Sequence, residues 1–233
     1  MRLKTLKLPR IIILVLVLII GLIYSYRPVM NYFDWGELRH YHKSNLEVMK
    51  MKNSNLVVFM GDSITENWGY SKHSIFQNPN YINRGISGQN TAQMVLRFNQ
   101  DVIALNPKIV VILGGTNDIA GTHGDYTNEQ IKENIDKMCQ MARAKNIKII
   151  LAKILPAAHY NWKPKIKPVP RINEINAWIE NYAKANNYPL IDYYSPMVDN
   201  QNGLKPLYSI DGVHPNDNGY EIMKKVALSV LEK

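Results

Sequence analysis

Residues 56–64 read Leu-Val-Val-Phe-Met-Gly-Asp-Ser-Ile and residues 109–118 read Ile-Val-Val-Ile-Leu-Gly-Gly-Thr-Asn-Asp. Both are apolar runs without strict alternation, and both end abruptly in glycine and small polar residues. A strand that is apolar on both faces must be covered on both, which is the situation of a parallel sheet between helical layers. A third run of this kind is Ile147–Leu155, and shorter candidates are Tyr81–Ile82 and Pro189–Tyr193. The segments between them have helical period. Thr91–Leu105 places Met94, Val95, Phe98, Val102 and Leu105 on one face and is closed by Pro107. Thr127–Ala144 does the same with Ile131, Ile135, Met138, Cys139 and Ala142, and Thr127 with Gln130 forms a capping-box signature. Ile172, Ile175, Ile179 and Tyr182 mark a third helix; Ile222, Met223, Val226 and Val230 mark a fourth. Regular succession of strand and helix implies right-handed βαβ units. The expected fold class is therefore α/β: a three-layer α/β/α sandwich with about five parallel strands.

The chain has 233 residues, enough for one domain of ordinary size and hardly for two. With 46% apolar and 20% charged residues it reads as globular rather than disordered or fibrous. One cysteine, Cys139, excludes an intramolecular disulfide framework and an all-cysteine zinc site, and it falls on an apolar helix face. The formal charge is +9, but Arg2, Lys4, Lys7, Arg10 and Arg27 stand in residues 1–27 without an acid, leaving +4 elsewhere. That remainder, with no zinc-finger or basic-helix pattern, argues against a nucleic-acid partner.

The basic head of residues 1–10 precedes the uninterrupted apolar run Ile11–Ile23. As a helix its 13 residues span about 20 Å, short of the ~30 Å hydrocarbon core. Membrane contact through residues 11–26, with Tyr24–Tyr26 interfacial and Arg10 and Arg27 snorkelling, makes a short span feasible. The length also suits a cleavable signal peptide, although no small-x-small site and no lipoprotein-type cysteine follows. The division expected is a signal-anchor or signal peptide in 1–27, a tether and first helix in 28–55, and the main domain in 56–233. Leu38, Tyr41 and Val48 lie on one possible face of that first helix. Lys and Arg favour the cytoplasmic side, so the body is expected to be extracytoplasmic: held by the N-terminal helix outside the domain, or secreted or periplasmic after cleavage.

In open α/β sheets, ligands sit beyond the carboxyl ends of the strands. Four polar, glycine-bearing loops are expected on that rim: Gly61–Ile64, Asn83–Asn90, Gly114–Asp118 and Asp211–Pro215. Taken singly, Gly-Asp-Ser reads as a turn, Asn117-Asp118 as a cap, and Asp-x-x-His as a chance pattern. Together they can assemble nucleophilic acyl transfer. Ser63 stands at a strand-to-helix turn, where free backbone N–H groups surround the hydroxyl. His214 can accept its proton, since imidazole titrates near neutral pH, and Asp211 can hold the other ring nitrogen. The N–H groups of Ser63 and Gly88 and the side-chain amide of Asn117 are the candidate oxyanion donors.

These blocks resemble the SGNH hydrolase family, also called the GDSL esterase/lipases. Gly61-Asp62-Ser63, the Gly88 loop, Gly115-Thr116-Asn117-Asp118 and Asp211-Gly212-Val213-His214 match its four blocks across residues 61–214. The broader look is that of the acylhydrolase branch similar to platelet-activating-factor acetylhydrolase. The resemblance implies a flavodoxin-like sandwich, Ser63 as nucleophile, Asp211 and His214 completing a triad, and Ser63, Gly88 and Asn117 forming the oxyanion hole. It also implies no metal or cofactor and a small-molecule, lipid or sugar ester as substrate. Family members are esterases, lysophospholipases, thioesterases and sugar deacetylases, so the acyl acceptor stays open. A non-catalytic binding module on the same fold is the alternative of a different class.

Other features have two readings each. Residues 155–171 form a long proline-rich connection with Lys163, Lys165, Lys167 and Arg171 beside Tyr160 and Trp162. It is either a lid with aromatic rings for stacking an anionic or sugar substrate, or a solvated loop. His123 and His159 either line the mouth of the site or are plain surface residues. Asp62 and Asp118 are expected to hold loops by bonds to backbone, and Trp35, Trp68 and Trp178 to be core or interface anchors.

Overall fold

The computed structural model describes residues 34–232, together with residues 12–13, 15–18 and 21. Those N-terminal residues are helical, with the side chains of Ile12, Ile13 and Val15–Leu18 exposed. Among the described residues no helix is long and apolar enough to cross a membrane. The remainder of the segment read as an anchor or signal lies outside the described residues.

Five strands, β1 (Val57–Gly61), β2 (Tyr81–Gly85), β3 (Ile109–Ile112), β4 (Lys148–Ala152) and β5 (Leu190–Ile191), form one sheet. Their order is β2-β1-β3-β4-β5 and every pairing is parallel, with Val57 opposite both Tyr81 and Ile109. Within residues 34–232 eight α-helices are present, in chain order α1 (His42–Lys50), α2 (Ser63–Trp68), α3 (Thr91–Asp101), α4 (Thr116–Ala120), α5 (Asn128–Arg143), α6 (Pro168–Ala185), α7 (Tyr194–Met197) and α8 (Asp217–Leu231). Successive strand residues feed opposite faces of the sheet. Val58 and Met60 of β1 join one core with α1, α3, α5 and α6; Val57 and Phe59 join the other with α2, α7 and α8. This is the three-layer α/β/α sandwich. The strand order reverses direction between β1 and β3, which makes the ends of those two strands the switch point where ligands bind in such sheets.

The helix ends have local causes. Thr127 caps α5 reciprocally with Gln130, as its spacing predicts, and Asn90 with Gln93 does the same for α3. Helix α6 starts at Pro168, where a missing N–H costs no hydrogen bond. The apolar period Thr91–Leu105 is broken after Asp101, with a 3₁₀ turn at Ile103–Leu105 and left-handed Asn106 (φ 49°) ahead of Pro107.

Several expectations need correction. The run Ile147–Leu155 exceeds its strand because Ile154 and Leu155 are buried in the connection after β4 rather than in the sheet. The strand expected at Pro189–Tyr193 is only Leu190–Ile191. Leu38 and Tyr41 precede α1, and Leu38 is exposed; of the expected face Val48 is buried on the helix, together with Asn45. Trp68 is a core anchor stacked on Tyr220, and Trp178 stacks on Tyr182, but Trp35 is exposed. Tyr160 is wholly buried, so Trp162 is the aromatic ring of that loop open to solvent.

Candidate active site

The end of β1 runs straight into α2, and Asp62 is the cap between them, its Oδ1 accepting the Ile64 N–H at 3.0 Å. Capping turns the backbone sharply and leaves Ser63 at the first helical position. The turn packs tightly against the end of β2: a Cβ on Gly85 would sit 2.2 Å from the Glu66 amide nitrogen. On the other side of the site, the stretch 209–215 folds on itself. Asp211 Oδ1 accepts the N–H groups of Val213 (2.9 Å) and His214 (2.8 Å), while Oδ2 lies 2.7 Å from His214 Nδ1. The Ser209 hydroxyl donates to the His214 carbonyl oxygen at 2.7 Å and accepts the Gly212 N–H at 3.0 Å.

These two regions, 151 residues apart in sequence, meet where Ser63 Oγ lies 2.9 Å from His214 Nε2. With Nδ1 donating to the carboxylate, Nε2 is left as the acceptor for the serine proton. A hydroxyl, an imidazole and a carboxylate thus form one hydrogen-bonded chain, the arrangement that can activate an alcohol as a nucleophile. Burial alone would raise the Asp211 pKa, but bonds from the His214 ring and from the His214 and Val213 N–H groups hold it down at about 2. The carboxylate is therefore ionised at neutral pH.

The Gly88 loop and Asn117 occupy the ends of β2 and β3. Gly88 has φ +81°, a conformation that side chains avoid, and a Cβ there would meet nothing within 4 Å. Conformation, with open space in front of it, is what asks for glycine. Among the described residues, neither the Ser63 nor the Gly88 N–H donates to another protein group. Asn117 is buried on α4, where its Nδ2 donates to the Gln89 carbonyl at 3.0 Å and its Oδ1 accepts the Thr122 hydroxyl at 3.2 Å. Both ends of the amide are fixed, and one Nδ2 hydrogen remains uncommitted.

Asp62 and Asp118 tie loops to backbone, as expected from their positions. The Asp118 carboxylate accepts the Thr91 N–H (3.0 Å to Oδ2) and its hydroxyl, binding α4 to the start of α3. Burial raises both carboxyl groups to about 6, against the lowering effect of the Ile64 and Thr91 bonds respectively. His159 is exposed and borders, with Asn161, Asp199 and Asp211, a cavity of about 320 Å³ beside the site. His123 is exposed next to Thr122. From the long loop, Asn161 Nδ2 donates to the Asp211 carbonyl at 3.2 Å and the Trp162 ring stands 6.1 Å from the His214 ring; Lys163, Lys165 and Lys167 point to solvent. Among the described residues no cluster of three or more His, Cys, Asp or Glu stands close enough to hold a metal ion.

Three supporting residues escaped the sequence reading. Glu66 accepts the Ser87 N–H at 2.7 Å and the Ser87 hydroxyl, linking α2 to the Gly88 loop. Gln89 and Arg97 bond to each other at 2.6 Å behind that loop. The signal available for the latter was an Arg97–Asp101 pair at i,i+4 placed among the apolar positions of α3.

Residues 59–222, more than two thirds of the chain and containing every residue of this constellation, match the GDSL-like lipase/acylhydrolase family model. The crystal structure of a GDSL-like lipase from Bacteroides thetaiotaomicron is 43% identical, with a TM-score of 0.79 over 84% of this chain and 98% of that one. The uncharacterized lipoprotein YqeF of Bacillus subtilis is 28% identical over 63% of this chain and 74% of its own length. A multidomain esterase of Ruminococcus flavefaciens is 26% identical over 89% of this chain, which spans 26% of that protein. The chain belongs to the GDSL-like lipase/acylhydrolase family and is a hydrolase acting on ester bonds.

Proposed function

We propose that the protein is a serine esterase that cleaves carboxylic esters of short or medium acyl groups through an acyl-enzyme on Ser63. The observation that carries this reading is the 2.9 Å contact between Ser63 Oγ and His214 Nε2, continued at 2.7 Å to Asp211. Ser63 Oγ attacks the ester carbonyl carbon as its proton passes to His214 Nε2. The carbonyl oxygen, now negative, accepts hydrogen bonds from the Ser63 and Gly88 N–H groups and from Asn117 Nδ2. Collapse of the tetrahedral intermediate expels the alcohol, which takes the proton from His214. Water then attacks the acyl-enzyme with His214 as base, and the carboxylic acid leaves. Asp211 keeps the imidazole in the required tautomer and stabilises its cationic form.

A sugar ester is the second reading of the substrate, favoured by the exposed Trp162 ring 6.1 Å from His214, a flat face on which a pyranose can lie. The basic-headed apolar segment of residues 1–27 and the similarity to a B. subtilis lipoprotein support an extracytoplasmic, membrane-held body formed by residues 56–233. Intact mass of the membrane-extracted protein, with residues 1–27 retained, is the expected result.

The test of the reaction is hydrolysis of p-nitrophenyl acetate and longer esters, with labelling by a fluorophosphonate. Ser63→Ala is expected to lose labelling and at least about 10⁴-fold in kcat/KM. Wild-type protein that neither hydrolyses nor labels would make this a binding module, and labelling at another residue would move the nucleophile elsewhere.

A further inference from the structure

Arg97 lies in the middle of α3 on the face turned to the sheet, with 0% of its surface exposed. Its guanidinium reaches three elements at once. Nη2 donates to the Gly61 carbonyl at the end of β1 (2.8 Å), Nε to Gln89 Oε1 (2.6 Å), and Nη1 to Asp101 Oδ2 one turn further along α3 (3.1 Å). Gly61 stands two residues before Ser63, and its carbonyl also accepts the Ile86 N–H at 3.2 Å. Gln89 follows Gly88, and the Gln89 carbonyl is the acceptor that orients Asn117 Nδ2. One planar fork therefore connects the strand end that carries the serine, the loop that carries Gly88, and the amide of Asn117.

The fork is fixed from behind as well. Asp101 Oδ1 accepts Asn45 Nδ2 at 2.6 Å, and Gln89 Nε2 donates to the Gly36 carbonyl at 3.1 Å. A buried ion pair is a poor device for stability alone, since desolvation of both charges offsets their attraction and an apolar pair packs as well. What a guanidinium supplies that no apolar side chain does is direction: several donors in one rigid plane.

We propose that Arg97 is a positioning residue for oxyanion stabilisation. It sets the Gly88 N–H and the Asn117 amide at a fixed distance from Ser63 without touching substrate. The inference rests on the reading of Ser63, Gly88 and Asn117 given above. It deepens that reading by naming what holds the donors still while charge develops on the carbonyl oxygen. Preorganised donors cost no rearrangement in the transition state, and a misplacement on the order of 1 Å is enough to cost roughly 100-fold in rate.

Two variants of the full chain test it. Arg97→Lys retains the charge but has one nitrogen, which cannot span three acceptors on three elements. The double variant Arg97→Met with Asp101→Leu removes both charges at similar volume, so it keeps a folded core. Both are expected to lose roughly 10–100-fold in kcat on p-nitrophenyl acetate, with KM changed by less than about twofold. Affinity for phenylboronic acid falls by a similar factor. There the boron takes the Ser63 oxygen into a tetrahedral adduct and the proton passes to His214. The pH profile of kcat/KM stays where it was, because His214 and Asp211 are untouched. An Arg97 that is only structural would instead lower the melting temperature of Arg97→Lys and leave kcat and boronate affinity of the folded protein at wild-type values. That result, or wild-type kcat in the double variant, with Ser63→Ala inactive, overturns the inference alone. Full activity in Ser63→Ala overturns the site reading and the inference with it.

Discussion

The two halves of the site are built in opposite ways. The Asp211–His214 half is mostly local and partly open: apart from the contacts to Ser63 and Asn161 its bonds run within residues 209–215, and the His214 and Asp211 side chains are 31% and 41% exposed. The Gly88–Asn117 half is cross-linked and more deeply set, with Asn117 buried and Gly88 half-buried, its loops held to one another and to α3 by Gln89, Arg97, Thr91 and Asp118. A group that exchanges protons with solvent and with a leaving alcohol benefits from access. A donor that must meet a developing charge benefits from rigidity. The same contrast appears in the carboxyl groups, one held down near 2 by hydrogen bonds and the other, Asp118, pushed up to about 6 by burial.

The largest effect that sharpens this comparison is expected in the open half. Asp211→Asn keeps an acceptor for the backbone but removes the charge that fixes the His214 tautomer. Loss of about 10³–10⁴-fold in kcat is expected with the fold intact, and circular dichroism alongside steady-state kinetics checks both. A loss below tenfold would mean that the carboxylate only shapes the turn. In the buried half, Asn117→Ala removes one donor and should cost about 10²–10³-fold in kcat with little change in KM. A change confined to KM would assign Asn117 to ground-state binding instead.

The smallest effect concerns stability and pH. Asp118 binds its proton more tightly in the folded chain than in the unfolded one, so its contribution to stability declines as pH rises from about 4 through about 6. Asp211 has the opposite sign: it stabilises above about 4, and that contribution fades as pH falls toward 2. Asp118→Asn should therefore flatten the fall in stability between pH 4 and 6, by up to about 1.4 kcal/mol per pH unit. Urea midpoints at half-unit steps measure it. An unchanged slope would show that the carboxyl group is as well solvated as in the unfolded chain.

The parts legible in the sequence were those whose cause is local. β1 and β3 show themselves because both faces of each strand are apolar, and α5 because Thr127 and Gln130 are three residues apart. The loops bearing Ser63, Gly88, Asn117 and Asp211 to His214 could be picked out because each follows such an element. β2 was harder to see: Arg84 puts a charge in a strand, satisfied by Asn45 at 2.9 Å and by the Tyr41 ring at 4.5 Å, both some forty residues away. Trp35 and Leu38 look like anchors by composition, yet it is their backbone carbonyls, bonded by Gln93 and Gln100, that engage the domain. A string of residue types does not reveal which carbonyl a distant glutamine will find.

Those carbonyls, with that of Gly36, make residues 35–38 a clasp closed by three glutamine side chains of the Gly88 loop and α3. Proteolysis ahead of Asp34 would leave the clasp with the body of the protein. A cut beyond Leu38 would strand the amides of Gln89, Gln93 and Gln100, the first of them bonded to Arg97 behind the Gly88 loop. Where the chain is severed would thus decide whether the body keeps all three of these amides paired.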